Sequence, residues 1–139
     1  MKGQRHDLGA SFARLTRAMI EAETPILRAH DIEMWDYAVL SALRDAAAPT
    51  QSELAAAVHR DKTRLIPILD RLESRGLVTR TPDPADRRNR VIALTDEGRA
   101  VLTACRTAIR AMEADFLASV PAARRRAFVE VLDQLADLV

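Results

Sequence analysis

Apolar residues recur three and four positions apart along most of this chain, a pattern that predicts helices with one buried stripe each. Leu8, Phe12, Leu15 and Met19 form the first stripe, and Ile26 and Leu27 continue it beyond Thr24-Pro25. One long helix is expected there, kinked or interrupted at Pro25, which lacks a backbone donor. Trp35, Val39 and Leu43 share a face of a second helix, which Asp31 is placed to cap and Ala46-Ala47-Ala48-Pro49 to end.

The middle of the chain is punctuated more sharply. Thr50-Gln51-Ser52-Glu53 has the form of a capping box, opening a short helix whose buried pair is Leu54 and Val58. After a turn at His59-Arg60, Asp61 caps a further helix with a stripe of Leu65, Ile68, Leu69 and Leu72. Arg75-Gly76 ends it, since glycine suits the left-handed conformation of a helix end. Leu77 to Thr81 and Val91 to Leu94 are β-prone runs around a loop with two prolines. Thr95 then caps a long helix, with Asp96 and Glu97 at its positive end and a stripe of Leu102, Cys105, Ile109, Met112 and Phe116. Pro121 opens a last helix carrying Phe128, Leu132 and Leu135.

The fold class predicted is mainly α with a small β-hairpin wing. Residues 31–99 would form a winged helix-turn-helix lobe, and 1–30 and 100–139 terminal helices, within one domain spanning 1–139. A small lobe leaves the apolar faces of the terminal helices uncovered, so pairing of two chains through them, a homodimer, is expected. A monomer that folds its arms back is the alternative.

Charge changes the picture by its distribution. The net charge is only +1, yet residues 60 to 90 hold nine Lys/Arg against five Asp/Glu, a local +4. With the apolar stripe of the 61–75 helix inward, Lys62, Thr63, Arg64, Pro67 and Arg71 fall on or near its outward face. A helix fits the major groove, where arginine bonds guanine and apolar groups meet thymine methyls. Ser52, in the first turn of the preceding helix, joins this set. Pro67 is costly inside a helix, so the helix bends there or the missing amide was never bonded, and the ring is available as an apolar contact. In the wing, Arg87, Arg88 and Arg90 follow Asp86 closely. A guanidinium at a hairpin tip can enter a narrow minor groove, and a neighbouring carboxylate can orient it. Double-stranded DNA is the expected partner.

Leu77-Val78-Thr79-Arg80, Asp86-Arg87-Arg88 and Leu94-Thr95-Asp96-Glu97-Gly98, in this order and spacing, resemble motifs of the multiple-antibiotic-resistance regulator (MarR) family. The resemblance covers the whole chain and is strongest from Leu40 to Gly98. It implies a dimeric repressor on a pseudo-palindromic operator, with Asp86 and Arg88 matching the family's Asp-x-Arg motif and Arg87 its common second arginine. It also implies release by a small, often aromatic or phenolic ligand held where dimerisation helices meet the DNA-binding lobe. His30, Met34, Trp35 and Tyr37 lie nearest that junction, although Met34 and Trp35 also suit a plain packing role. Pro67 departs from the family, which more often has a polar residue there, so its base-reading pattern does not carry across that turn.

Other chemistry finds little support. Cys105, the single cysteine, sits in an apolar stripe as a small hydrophobe and excludes an intrachain disulfide. A redox-responsive repressor would need it reactive. His6, His30 and His59 are scattered, without metal-ligand spacing, so neither a metal nor a cofactor is expected. His59 falls in the turn of the helix-turn-helix. No phosphate loop or nucleophile motif occurs, and the chain is read as not an enzyme. Arg124-Arg125-Arg126 is read as a solvated face. The polar first residues and the lack of a long apolar run lead to the expectation of no signal peptide, no membrane span and a cytoplasmic protein. The competing reading from another class is a winged-helix protein-interaction module, which would not need basic residues gathered on helix and wing.

Overall fold

The computed structural model describes residues 7–45 and 49–139. His6 and the three alanines expected to end the second helix lie outside them. In chain order come α1 (Leu8–Arg28), α2 (Met34–Asp45), α3 (Gln51–Ala57), α4 (Lys62–Ser74), β1 (Val78–Pro82), β2 (Arg90–Leu94), α5 (Asp96–Phe116) and α6 (Ala122–Ala136). The strands pair antiparallel, Val78 opposite Leu94 through to Pro82 opposite Arg90. The backbone of β2 also reaches the start of α3, where the Ile92 amide donates to the Pro49 carbonyl (2.9 Å). No helix among the described residues is long and apolar enough to cross a membrane.

Helix α2 is the hub, packed against α1, α3, α4, α5 and β2. Around it Val39, Leu40 and Leu43 meet Leu54, Leu65, Leu69 and Leu72 in one aliphatic cluster. The same cluster takes in Leu27 from α1 and Leu102, Cys105 and Ile109 from α5. Two of the helices expected as arms, α1 and α5, therefore share the lobe's core at their bases. Trp35 does not share the buried face of Val39 and Leu43. At 100° per residue the inner face of α2 is filled by Asp36, Val39, Leu40 and Leu43, and Trp35 is left 38% exposed.

Three helix ends use one device. After α1, α3 and α4 the chain turns through a left-handed residue, respectively Asp31 (φ 54°), His59 (φ 54°) and Gly76 (φ 72°). Each time the next amide bonds back five residues: Ile32 to the Leu27 carbonyl, Arg60 to Ala55 and Leu77 to Leu72. This is the Schellman closure, which satisfies carbonyls that the helix leaves open. Asp31, expected to cap α2, is thus spent on ending α1. The cap of α2 comes from within the helix, where Asp36 Oδ2 accepts the Glu33 amide (2.9 Å).

Neither interior proline breaks its helix. Helix α1 runs on through Pro25, which lies so near the C-terminus that little helix follows. There Thr24 Oγ1 donates to the Ile20 carbonyl (2.6 Å). Helix α4 is likewise continuous through Pro67, so the Thr63 carbonyl has no amide four residues on.

The start of α5 is pressed onto the α4–β1 junction. Thr95 Oγ1 accepts the Gly98 amide (3.0 Å) and donates to the Gly76 carbonyl (2.6 Å), while the Thr95 amide donates to the Leu77 carbonyl (3.1 Å). At the far end, α6 buries no residue within the chain. Phe12, Leu15 and Ile20 of α1, Phe116 of α5, and Phe128 and Leu132 of α6 are exposed around a groove of about 540 Å³. Glu23 on this groove has its pKa raised, first by burial and then by the nearby charge of Glu113.

Candidate nucleic-acid interface

Helices α3 and α4 form the helix-turn-helix, and their starts are fixed as the sequence predicts. Thr50 Oγ1 accepts the Glu53 amide (3.2 Å) and Glu53 Oε1 accepts the Thr50 amide (3.3 Å). Asp61 Oδ1 accepts the Arg64 amide (2.9 Å). Ser52 is exposed on the first turn of α3, and Lys62, Thr63, Arg64 and Pro67 are exposed along α4 opposite its buried stripe.

Arg71, expected on the reading face, is drawn inward. Its guanidinium donates to Asp36, a carboxylate only 1% exposed, and stands 3.9 Å from Glu33. A buried carboxylate must be paired or it is strongly destabilised, and Arg71 is the cation within reach. It therefore anchors α4 to α2. Arg75 performs a similar task, donating to the carbonyls of Asp31 and His30 (3.1 Å to His30). Both residues tie the recognition helix to the α1–α2 segment.

Arg80 is the residue whose task the sequence does not reveal. From β1 its guanidinium donates to Asp70 and Glu73 on α4 (2.5 and 2.9 Å), and its amide donates to Glu73 (3.2 Å). The clamp fixes the wing against α4 and neutralises two carboxylates that would otherwise repel phosphates. Hydrogen bonding to Arg80 holds the Glu73 carboxyl below its ordinary value. The clamp is therefore intact at neutral pH, and its contribution is lost only as pH falls through that lowered range. Replacing Arg80 by methionine should weaken DNA affinity about tenfold or more, from two freed carboxylates facing phosphates. Thermal melting should change less than affinity, because both carboxylates are about half exposed and water can solvate them once the guanidinium is gone. Unchanged affinity in a fluorescence-anisotropy titration would refute this account.

At the wing tip, Asp86 does not hold an arginine. Its Oδ1 accepts the backbone amide of Arg88 (3.0 Å), and its carbonyl accepts the Asn89 amide (2.9 Å). Asp83 does the same for Ala85 (2.9 Å). Aspartates favour such local turns, so Asp86 shapes the loop while the guanidinium groups stay free of it. Among the described residues, Lys62, Arg87, Arg88 and Arg90 have no carboxylate within ion-pair distance, whereas Arg64, Arg71 and Arg80 do. Arg90 borders a polar notch of about 200 Å³ with Gln51, Glu73 and Arg80. Tertiary pairing thus leaves positive charge unneutralised at the start of α4 and along the wing.

The four residues near the α1–α2 junction have different surroundings. Met34 and Tyr37 pack partly buried on the core, and the His30 carbonyl is held by Arg75. The Trp35 ring carries the Arg60 guanidinium 4.0 Å above its centroid, a cation–π contact across α2 and the helix-turn-helix turn. His59 sits in that turn. Among the described residues no three potential metal ligands converge. Arg125 turns back to the Val120 carbonyl (3.0 Å) at the start of α6.

Cys105 is fully buried and its pKa is raised by burial. A thiol so placed is protonated and shielded at neutral pH. Reaction with a thiol reagent at pH 7.5 should be at least about 100-fold slower in the native protein than in urea, set by how rarely the core opens. Rapid stoichiometric labelling of the native protein would revive the redox reading.

Comparison with known proteins gives the same frame. The family model described as "MarR family" matches residues 32–89. The HTH-type transcriptional repressor NicR of Pseudomonas putida is 35% identical over 73% of the chain, and the match spans 64% of that repressor's length. The transcriptional regulator HosA of Escherichia coli is 33% identical over 77% of the chain and 79% of its own. Among solved structures, the transcriptional repressor CouR bound to a 23-mer DNA duplex superposes with a TM-score of 0.83 at 27% identity, covering 94% of this chain and 92% of that one. CouR of Rhodococcus jostii RHA1 bound to p-coumaroyl-CoA matches with a TM-score of 0.78 at 25% identity, over 98% and 96% of the two chains.

Proposed function

The chain belongs to the MarR family, and we propose that it works as a homodimeric repressor whose two winged lobes grip one operator and release it on binding a small molecule. One observation carries the reading: the cations without carboxylate partners, Lys62, Arg87, Arg88 and Arg90, lie on a capped helix-turn-helix and its wing. In this reading residues 31–99 are the DNA-binding lobe and 1–30 with 100–139 the dimerisation helices. Helix α4 enters the major groove with Lys62, Thr63, Arg64 and Pro67, and Ser52 approaches a phosphate from the start of α3. Arg87, Arg88 and Arg90 follow the flanking minor groove, with Asp86 shaping their loop. Arg71 is the exception among the residues expected at DNA, being engaged by Asp36. The relatives are named as regulators, and no enzymatic role is assigned. The location proposed is the cytoplasm.

Dimerisation is supported by the exposed apolar faces of α1, α5 and α6, which one chain leaves in water. Contiguous apolar surface of this kind marks an interaction site. Leu132→Glu should shift the protein from dimer to monomer in analytical ultracentrifugation at micromolar concentration. It should also abolish tight operator binding, because two half-sites about 10 bp apart need two linked lobes. A variant that stays dimeric would move the interface elsewhere.

Release requires a ligand that prefers one spacing of the lobes over another. CouR with p-coumaroyl-CoA supports an aromatic effector, and His30, Met34, Trp35 and Tyr37 remain the proposed neighbourhood. Arg75 and Arg71, which bind α4 to the α1–α2 segment, offer a physical connection from that neighbourhood to DNA. The deciding experiment titrates the protein with its own upstream DNA across salt concentrations and then adds candidate aromatic acids and their thioesters. Saturable binding with a steep negative salt slope, reversed by a ligand, is expected. Weak, sequence-indifferent binding would favour the interaction-module reading. A ligand that saturates without altering DNA affinity would end the release model.

A further inference from the structure

Helix α4 buries Leu65, Ile68, Leu69 and Leu72, yet two other apolar residues of the same helix stay in solvent. Ile66 is 41% exposed and Pro67 is exposed beside it. Thr63 stands three and four residues before them, so its methyl, the Ile66 side chain and the Pro67 ring adjoin on one patch. The patch lies in the N-terminal half of α4, the part of a recognition helix that approaches base edges.

We propose that Ile66 and Pro67, with the Thr63 methyl, form an apolar reading element that selects a thymine by its C5-methyl group. The inference rests on the DNA-binding reading and deepens it by naming a base feature. Of the groups that bases display in the major groove, the pyrimidine C5-methyl is the apolar one, so it is the feature such a patch recognises. Charge favours DNA as the occupant. Lys62 and Arg64 flank the patch, Arg80 neutralises Asp70 on its C-terminal side, and the wing adds three cations without carboxylate partners. A docking helix from another protein would need a broader apolar surface than this patch, which is hemmed by Lys62, Arg64 and Asp70.

The test starts from a site selected by the protein from a pool of random duplexes. That site is resynthesised with deoxyuridine replacing thymidine one position at a time, which removes a methyl and leaves the pairing edge intact. Wild-type affinity is expected to fall about fourfold per half-site at one thymine, the effect of one buried methyl group. In Ile66→Ala/Pro67→Ala the same replacement should change affinity less than about 1.5-fold. Alanine is the better helix former at both positions, so this variant is expected to melt like the wild type, and melting verifies it. A wild-type affinity insensitive to uracil everywhere overturns the inference while leaving the regulator reading intact. So does a uracil effect undiminished in the variant. Installing 5-methylcytosine at each cytosine identifies the source of the methyl: a gain there without any uracil effect assigns the patch to methylated cytosine and overturns the thymine claim. If no sequence is enriched from the pool, the regulator reading fails, and the inference with it.

Discussion

Replacing Arg87 and Arg88 together by alanine is expected to lower operator affinity at least about 100-fold at physiological salt. The proposed dimer would lose four guanidinium groups, so the slope of log affinity against log salt should flatten by roughly three to four. These side chains stand on an exposed loop whose shape does not depend on them. The loop is held by the Asp86 carboxylate on the Arg88 backbone amide and by the Asp86 carbonyl on the Asn89 amide, bonds that alanine keeps. Thermal stability and mass in solution should therefore be unchanged, which separates lost contact from lost fold. Anisotropy titrations at several salt concentrations measure both quantities. Unaltered affinity, or a loss with no change in salt slope, would remove the wing from the interface.

Gly98→Ala should do the opposite, sparing every candidate contact and weakening the fold. A Cβ at this position would lie 2.0 Å from the Leu77 carbonyl oxygen and 2.9 Å from its carbon. Both are backbone atoms, and neither can swing aside. Relief would require lifting the first turn of α5 from the α4–β1 junction, and with it the Thr95 bonds to Gly76 and Leu77. The expected loss is on the order of 4 kcal/mol, the range reached by strain that the surroundings cannot relax. Against a total stability of about 5–15 kcal/mol, such a protein is largely unfolded under mild denaturant. Gly76→Ala provides the comparison: its φ of 72° is strained for alanine, yet the nearest atom is a flexible Glu97 oxygen at 3.4 Å. That substitution should cost about 1–2 kcal/mol. Urea midpoints rank the two, and a Gly98→Ala midpoint equal to the wild type would contradict the close packing.

The regular elements were legible because their signals are local. Thr50 with Glu53, Asp61 with Arg64 and Thr95 with Gly98 are partners three residues apart, so side-chain chemistry alone predicts the bond. The stripes of α4 and α5 follow from the helical period. The same logic misplaces Asp31, since an aspartate before a helix is also an aspartate after one, and the Schellman turn of α1 takes it first. Spacing puts Trp35 inside, but α2 turns Asp36 and Leu40 inward in preference, and Arg60 covers the ring from outside.

What the sequence determined by itself was the order of elements, the caps of α3, α4 and α5, the family and the surplus of positive charge between residues 60 and 90. Each depends on residues close together in the chain. Which of those charges remain available for DNA was decided only by tertiary structure. Arg71 is claimed by Asp36, 35 residues earlier, and Arg80 by Asp70 and Glu73 across the helix–wing contact. Arg87, Arg88 and Arg90 find no such partner. Helical period and capping rules carry no information about which distant carboxylate a folded backbone brings within reach. An arginine's task depends on that neighbour, because pairing in a partly desolvated site outweighs the pull of water on a long, flexible cation.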